Sequence, residues 1–385
     1  MSRGRRNGRK PSGDERSPSA SPERGGRARR SPARLAALDL GTNNCRLLIA
    51  TPRGREFRVI DAFSRIVRLG EGLSQTGALS ESAMDRAVDA LKVCAEKVEK
   101  RGVTRGRYIA TQACRAASNG DAFLERVREE TGLAFEVIST AEEARLSVSG
   151  CADLFDEAAE AALVFDIGGG STEVSWVRPR APSDSVERGR RQPTLDIVSW
   201  LSLPIGVVNL SERWGGGDVD RDTYDRIIES VRDEIRTFDE PDGMREVFAR
   251  GGAHFLGTSG TVTSIAGVHL ELPRYRRDLV DGLWLSADEA REVSERLRAM
   301  DYETRASEPS IGRERADLVV CGCAILEALL REWPVDRIRV GDRGLREGIL
   351  SGLAAQSNRR RRRRRRKKRP AEGAPRTDQS TEFGG

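Results

Sequence analysis

Two stretches of the chain repeat one pattern. Residues 36–50, AALDLGTNNCRLLIA, and residues 163–177, LVFDIGGGSTEVSWV, each run through an apolar segment, Asp, an apolar residue, Gly, small polar residues and a second apolar segment. Asp39 and Asp166 hold the same place in the two copies. A glycine loop that binds phosphate normally feeds a helix whose N-terminus faces the anion. Here the residues after Asn44 return to a strand-like run, Cys45 to Ala50, so the pattern predicts a hairpin turn between antiparallel strands. One such turn would be ordinary, because Asp and Gly suit tight turns anywhere. Two of them predict related halves, each presenting a strand-turn-strand with an acid at the turn, facing each other across a cleft.

The chain is long enough for this, with 385 residues of which 37% are hydrophobic. Its charge is unevenly spread. The first 34 residues carry 11 Arg or Lys against 3 acids, and residues 357–385 carry 12 against 3. With +6 on the whole chain, tails of +8 and +9 leave −11 on residues 35–356. The basic isoelectric point therefore belongs to the ends, and a basic partner cannot be inferred for the body. Six scattered cysteines without C-x-x-C spacing read as buried reduced thiols rather than a disulfide framework. No run of ~18 apolar residues is present to span a membrane, and the N-terminus lacks an apolar signal-peptide core. A soluble, cytoplasmic protein is expected. Asp14, Glu15 and Glu23 argue against an organelle presequence.

Mixed α/β architecture follows from the pattern along the chain. Strands are expected up to about Leu69, helices over 80–100 and 120–131, and a short strand at FEVIS. RYIATQACR reads as a strand running into a loop. TAEEARLSVSGCADLF reads as a Thr-capped helix opening with two acids. Residues 178–193 are polar and Pro-rich and suggest a long hairpin loop before the strand TLDIVSWLSL. Further helices are expected over 220–238, 286–300 and 313–332, with FLGTSGTVTSIAG as a strand-to-helix turn. The resulting division is a disordered basic tail at 1–34, domains at 35–160 and 161–356, and a disordered Arg-rich tail at 357–385.

Backbone N–H groups of glycine-rich turns can hold phosphate oxygens, while acids beside them hold a divalent metal, usually Mg²⁺. A body charge of −11 makes such a metal nearly obligatory for an anionic substrate. Five segments, ALDLGTNNCRLLIA, IATQACR, EEARL, FDIGGGSTEV and GTSGT, with GDRGLREGIL closing the domain, together resemble the exopolyphosphatase/guanosine pentaphosphate phosphatase (Ppx/GppA) family of the actin/Hsp70/sugar kinase superfamily. The likeness covers roughly residues 35–356. It implies two ribonuclease H-like domains, of the actin-like ATPase superfamily, with the active site in the cleft between them. It also implies Mg²⁺-dependent removal of terminal phosphate from inorganic polyphosphate or from the 5′ end of guanosine pentaphosphate, and it makes a homodimer plausible.

The resemblance also implies roles. Glu143 aligns with the family's catalytic glutamate, which orients or deprotonates the attacking water, whereas Glu142 reads as helix-N-terminal charge. Asp166 and Glu173 are similar to the family's Mg²⁺ ligands, with Asp39 contributing through the metal's water shell. Gly168, Gly169, Gly170 and Ser171 would wrap a phosphate, and Thr42, Asn43 and Asn44 would do the same from the other hairpin. Arg115 resembles the family arginine that clamps the substrate phosphate, and Arg315 aligns with a second. GTSGT sits where the superfamily places a nucleotide-side turn. The segment 321–323 reads CGC where the family pattern has a proline before the glycine, a departure that bears on packing. With only His254 and His269 in the chain, no appended His-Asp metal phosphohydrolase domain is expected.

Two other function classes compete: a kinase of the same superfamily, and a non-catalytic polyanion-binding protein acting through its tails. Glu143 before Ala-Arg together with DIGGGSTE favours hydrolysis. The eight arginines from Arg359 to Arg366 could recruit polyphosphate or RNA by counterion release, although no aromatic residue interrupts the run to stack on bases.

Overall fold

The structure is a computed structural model that describes residues 33–53, 56–180 and 194–367. Most of the two expected tails, 1–32 and 368–385, and residues 181–193 of the expected hairpin loop lie outside the described residues. Lobe I comprises β1 (Leu35–Leu40), β2 (Asn44–Arg53), β3 (Glu56–Ile66), α1 (Leu73–Thr76), α2 (Glu81–Lys100), β4 (Arg105–Ala110), α3 (Gln112–Ala116), α4 (Gly120–Thr131), β5 (Glu136–Val137) and α5 (Thr140–Cys151). Lobe II opens with β6 (Ala161–Ile167), β7 (Thr172–Pro179), β8 (Leu195–Leu203), α6 (Val207–Trp214), α7 (Arg221–Ile235) and α8 (Met244–Ala249). It continues through β9 (Ala253–Thr258), α9 (Ser259–His269), α10 (Arg277–Val280), β10 (Trp284–Ser286), α11 (Ala287–Ala299), α12 (Tyr302–Ser307), α13 (Val319–Glu332) and β11 (Arg337–Gly341). The last helix, α14 (Leu345–Lys367), returns to lobe I.

The two sheets share one plan. Lobe I runs β3-β2-β1-β4-β5, and lobe II runs β8-β7-β6-β9-β11 with β10 added at the far edge. In each, the first strand pairs antiparallel with the second and parallel with the fourth. This is the expected ribonuclease H-like arrangement, present twice.

Both faces of each sheet are covered, which is why the central strands β1 and β6 are apolar almost throughout rather than alternating. Leu38 and Leu40 of β1 pack with Met84 and Leu91 of α2 and Phe123 of α4. Leu35 and Ala37, on the opposite face, meet Leu146 of α5 and Ile349 and Leu353 of α14. In lobe II, Leu163 and Phe165 join the large core, while Ala162 and Val164 face Val148 and Cys151 of α5. Helix α5 is therefore held between the two sheets by its own apolar residues. All six cysteines are free and buried, with Cys321 of the CGC segment inside the lobe II core.

Three local expectations change. The cap of α5 is Ser139, whose hydroxyl accepts from the Glu142 N–H at 3.2 Å, so Thr140 is already helical. RYIATQACR does not run into a loop: α3 follows β4, and Arg115 sits on that short helix. Residues 313–318 form turns and α13 starts at Val319, because the charged stretch RERAD offers the core only Ala316. Helical backbone continues from the packed first half of α14 through Lys367, into the first residues of the expected Arg-rich tail. Among the described residues, no helix is long and apolar enough to cross a membrane.

Candidate active site

The two repeated hairpins have the same turn. The Gly41 N–H donates to the Asn44 carbonyl at 2.9 Å, and the Gly168 N–H donates to the Ser171 carbonyl at 2.9 Å. Each turn is also fastened from outside through its carbonyls. Those of Gly168 and Gly169 accept from Val207 and Val208 at the start of α6, at 3.0 and 2.8 Å. Those of Thr42 and Asn43 accept from Gly70 at 2.9 Å and from Val67 and Arg68 at 2.8 and 3.1 Å. In a trans peptide the N–H points opposite to the carbonyl, so the N–H groups of Gly169, Gly170, Asn43 and Asn44 face away from these outer segments. Both turns line one cavity of about 150 Å³.

The turns also touch. A Cβ added at Gly169 would lie 3.0 Å from Asn43 Cβ, and one at Gly170 would lie 2.7 Å from Thr42 Oγ1. Thr42, Asn43 and Ser171 are correspondingly buried. The side-chain carbonyls of Asn43 and Asn44 have no partner although they are buried, so two oxygen acceptors are left over at the cavity wall.

Acids converge on this space. Asp166, next to last in β6, pairs across the hairpin with Glu173 of β7, and the Ser147 hydroxyl of α5 donates to Asp166 Oδ2 at 3.2 Å. Burial, and then repulsion from Asp166, pushes the Glu173 carboxyl up to about 7, against hydrogen bonds from Ser171 and Ser202. Burial likewise raises Asp39 to about 6, with Arg46 and Arg346 opposing it. Glu143, in the first turn of α5, is pushed well above the ordinary carboxylate range by burial and by Glu173, with Arg115 opposing.

Nearly all the residues expected from the sequence line the cavity: Asp39, Thr42, Asn43, Asn44, Glu143, Asp166, Gly168, Gly169, Gly170, Ser171, Glu173 and Arg315. Arg115 does not. It stands behind Glu143, donating to Glu143 Oε2 at 3.2 Å from both terminal nitrogens, to the Ile138 carbonyl at 2.7 Å and to Gln112 Oε1 at 2.7 Å. Glu142 faces elsewhere and pairs with Arg107 and Arg145, as its reading as surface helix charge requires.

Sequence reasoning passed over two arginines that the fold brings in. Arg46 of β2 pairs across its hairpin with Asp39, and its guanidinium reaches lobe II, 3.9 Å from where a Cβ on Gly260 would stand. Arg346 lines the cavity from the first turn of α14. Among the described residues, the side chains of Arg46, Arg315 and Arg346 have no ion-pair partner. The signal for Arg46 was present: it lies seven residues after Asp39, as Glu173 lies seven after Asp166. Arg346 sits inside GDRGLREGIL and carried no such mark.

The donor chemistry suits a hard cation. Asp166 and Glu173 supply carboxylate oxygens from one hairpin, with Asp39 facing them. Among the described residues, no three His, Cys, Asp or Glu side chains stand together as a complete metal-binding group. Carboxylate oxygens are the ligand type that Mg²⁺ takes, usually one or two of them together with waters and substrate phosphates.

Duplicated ribonuclease H-like lobes, closing amide-lined turns, acids and unpaired arginines around one cavity, define a phosphate-handling protein of the actin-like class. The sequence profile of the Ppx/GppA phosphatase family matches residues 48–357. Exopolyphosphatase 2 of Mycobacterium tuberculosis is 31% identical over 335 residues, which cover 83% of this chain and 98% of that one. The crystal structure of the Aquifex aeolicus member of the Ppx/GppA family is 26% identical with a TM-score of 0.65, covering 85% of this chain and 99% of that one. An exopolyphosphatase-like protein of known structure is 27% identical with a TM-score of 0.72, covering 83% and 97%. The chain belongs to the Ppx/GppA phosphatase family.

Proposed function

We propose that this protein is a cytoplasmic, Mg²⁺-dependent exopolyphosphatase that releases the terminal phosphate of inorganic polyphosphate. One observation carries the reading: Glu143, buried and with its pKa raised, faces Asp166 and Glu173 across a cavity walled by two sets of backbone amides and by Arg46, Arg315 and Arg346. The printed name of the Mycobacterium tuberculosis relative supports the choice of substrate. Guanosine pentaphosphate presents the same kind of terminal phosphoanhydride and is the natural second substrate to compare. Six buried free thiols suit a reducing compartment.

In this mechanism the amides of the turns at 42–44 and 168–171 hold the terminal phosphoryl oxygens, and the unpaired arginines hold the phosphates behind it. Asp166, Glu173 and Asp39 would hold Mg²⁺, whose charge would neutralise that on those oxygens. Glu143 accepts the proton of a water whose oxygen attacks the terminal phosphorus, the bridging P–O bond breaks, and the shortened chain leaves with the bridging oxygen as an anion. A carboxylate with a raised pKa is a better base near neutral pH than an ordinary one. Arg115 keeps Glu143 pointed into the cavity and partly offsets its burial.

The test is phosphate release with Mg²⁺ from long polyphosphate, tripolyphosphate and guanosine pentaphosphate, using the unmodified protein and Glu143→Gln. The expected result is release from polyphosphate, with kcat lowered about 10²- to 10⁴-fold by the substitution while binding persists. Unaltered kcat in Glu143→Gln would remove the proposed base. Release from guanosine pentaphosphate alone would overturn the substrate.

A further inference from the structure

Residues 67–74 follow β3 in lobe I yet fasten both sides of the cleft. On one side, the backbone N–H groups of Val67, Arg68 and Gly70 hold the carbonyls of the 42–43 turn. On the other, the Arg68 guanidinium crosses to lobe II. It grips the Asp317 carboxylate with two nitrogens, at 2.9 and 3.0 Å, and donates to the Glu314 carbonyl at 3.3 Å. Arg315, which lines the cavity, lies between those two anchors. Further along, Glu212 of α6 accepts from the Gly72 N–H and from the Ser74 hydroxyl, each at 2.7 Å, and α6 is the helix whose first amides hold the 168–169 carbonyls.

Arg68 has φ 47, a left-handed conformation that residues with side chains rarely adopt. Its own N–H is bonded to Asn43, and its carbonyl accepts from Arg86 at 3.3 Å. A simple surface ion pair needs none of this, and such pairs contribute little to stability. Two parallel N–H···O bonds fix direction as well as distance. Here they fix the segment that carries Arg315 relative to the turn that carries Asn43.

We propose that Arg68 is a positioning residue that sets Arg315 against the 42–44 turn, so that both lobes grip one polyphosphate chain at a defined spacing. The inference rests on the reading of this cleft as a phosphate-binding site. It concerns KM more than kcat, because on that reading Arg315 binds phosphates and takes no part in activating the attacking water.

The test combines amide hydrogen exchange of the substrate-free protein with tripolyphosphate binding and turnover for Arg68→Ala, Asp317→Asn, Arg315→Ala and the Arg68→Ala/Arg315→Ala pair. Arg68→Ala should speed exchange over 312–318 while leaving α2 unchanged. It should weaken tripolyphosphate binding and raise KM about five- to tenfold, with kcat within about twofold, as expected for loss of one oriented charged contact. Asp317→Asn should act in the same direction. In the Arg315→Ala background, Arg68→Ala should add no further loss. Unchanged exchange over 312–318, or an equal loss with and without Arg315, overturns the proposal. If the unmodified protein fails to bind tripolyphosphate, the proposed function falls, and the exchange measurement still decides whether Arg68 holds the segment.

Discussion

The hairpins β1-β2 and β6-β7 share strand pairing, turn hydrogen bond and outer fastening, yet they differ in charge at one position. Opposite Asp39 stands Arg46, whereas opposite Asp166 stands Glu173. The first hairpin therefore sets a cation, directed across the cleft, opposite its acid, and the second sets two acids opposite each other, where burial first and then repulsion from Asp166 raise the Glu173 pKa to about 7. On the proposed function, one backbone design, used twice, makes an anion-holding side and a cation-holding side. The difference teaches that duplication supplied the geometry while single side chains divided the labour.

The strongest way to break this comparison is to remove charge from each hairpin in turn. Glu173→Gln should lower kcat about 10²- to 10³-fold and raise the Mg²⁺ concentration needed for half-maximal rate, since it removes charge stabilisation in the transition state. Arg46→Ala should mainly raise KM, about tenfold, as expected for one charged hydrogen bond to substrate. If both substitutions move the same kinetic parameter, the two sides are not functionally distinct.

A smaller effect is thermal. In chelator-treated protein, Asp39 and Glu173 hold protons up to about pH 6 and 7, where an unfolded carboxyl would already have lost them. Their contribution to stability is fully present below about pH 4 and is lost as pH rises through these values. Tm should therefore be higher at pH 5 than at pH 8 by roughly 5 °C, and Mg²⁺ should shrink the gap. Burial lowers the pKa of His254, which acts in the opposite sense near pH 6. Comparison with Glu173→Gln cancels that contribution, and an identical pH slope in the variant would show that Glu173 does not carry the effect.

The smallest differences concern the outer fastenings. A Cβ at Gly206 would stand 2.4 Å from the Gly169 backbone, whereas one at Gly70 would stand 2.3 Å from the Thr42 Cγ2 methyl. Backbone cannot yield as a side-chain methyl can. Gly206→Ala should thus lower stability by about 1–3 kcal/mol and Gly70→Ala by less than about 1 kcal/mol, measured by denaturant unfolding. Equal losses would show that the two turns are held with equal rigidity.

Much of the fold was legible because its signals are local. The hairpins follow from apolar runs flanking Asp-x-Gly, and Ser80 and Gly120 mark helix starts where α2 and α4 begin. The errors also have local causes. TQACR lacks the length of a periodic helix, so its pattern predicts a loop where α3 forms, and Ser139 and Thr140 are both acceptable caps that only backbone geometry separates. The sequence pattern predicts a helix through Arg315, because charge alone does not say where a turn ends.

The sequence by itself determined the duplicated sheet, the acids at its turns and Glu143 as a separate acid on a helix start, because strand periodicity, turn chemistry and capping act over a few residues. Only the tertiary structure decided that α14 crosses back to lobe I to bring Arg346 into the cavity, that Arg115 stands behind Glu143, and that Arg68 spans the lobes. These contacts join residues far apart in the chain, and their energies depend on burial and direction that no local pattern encodes.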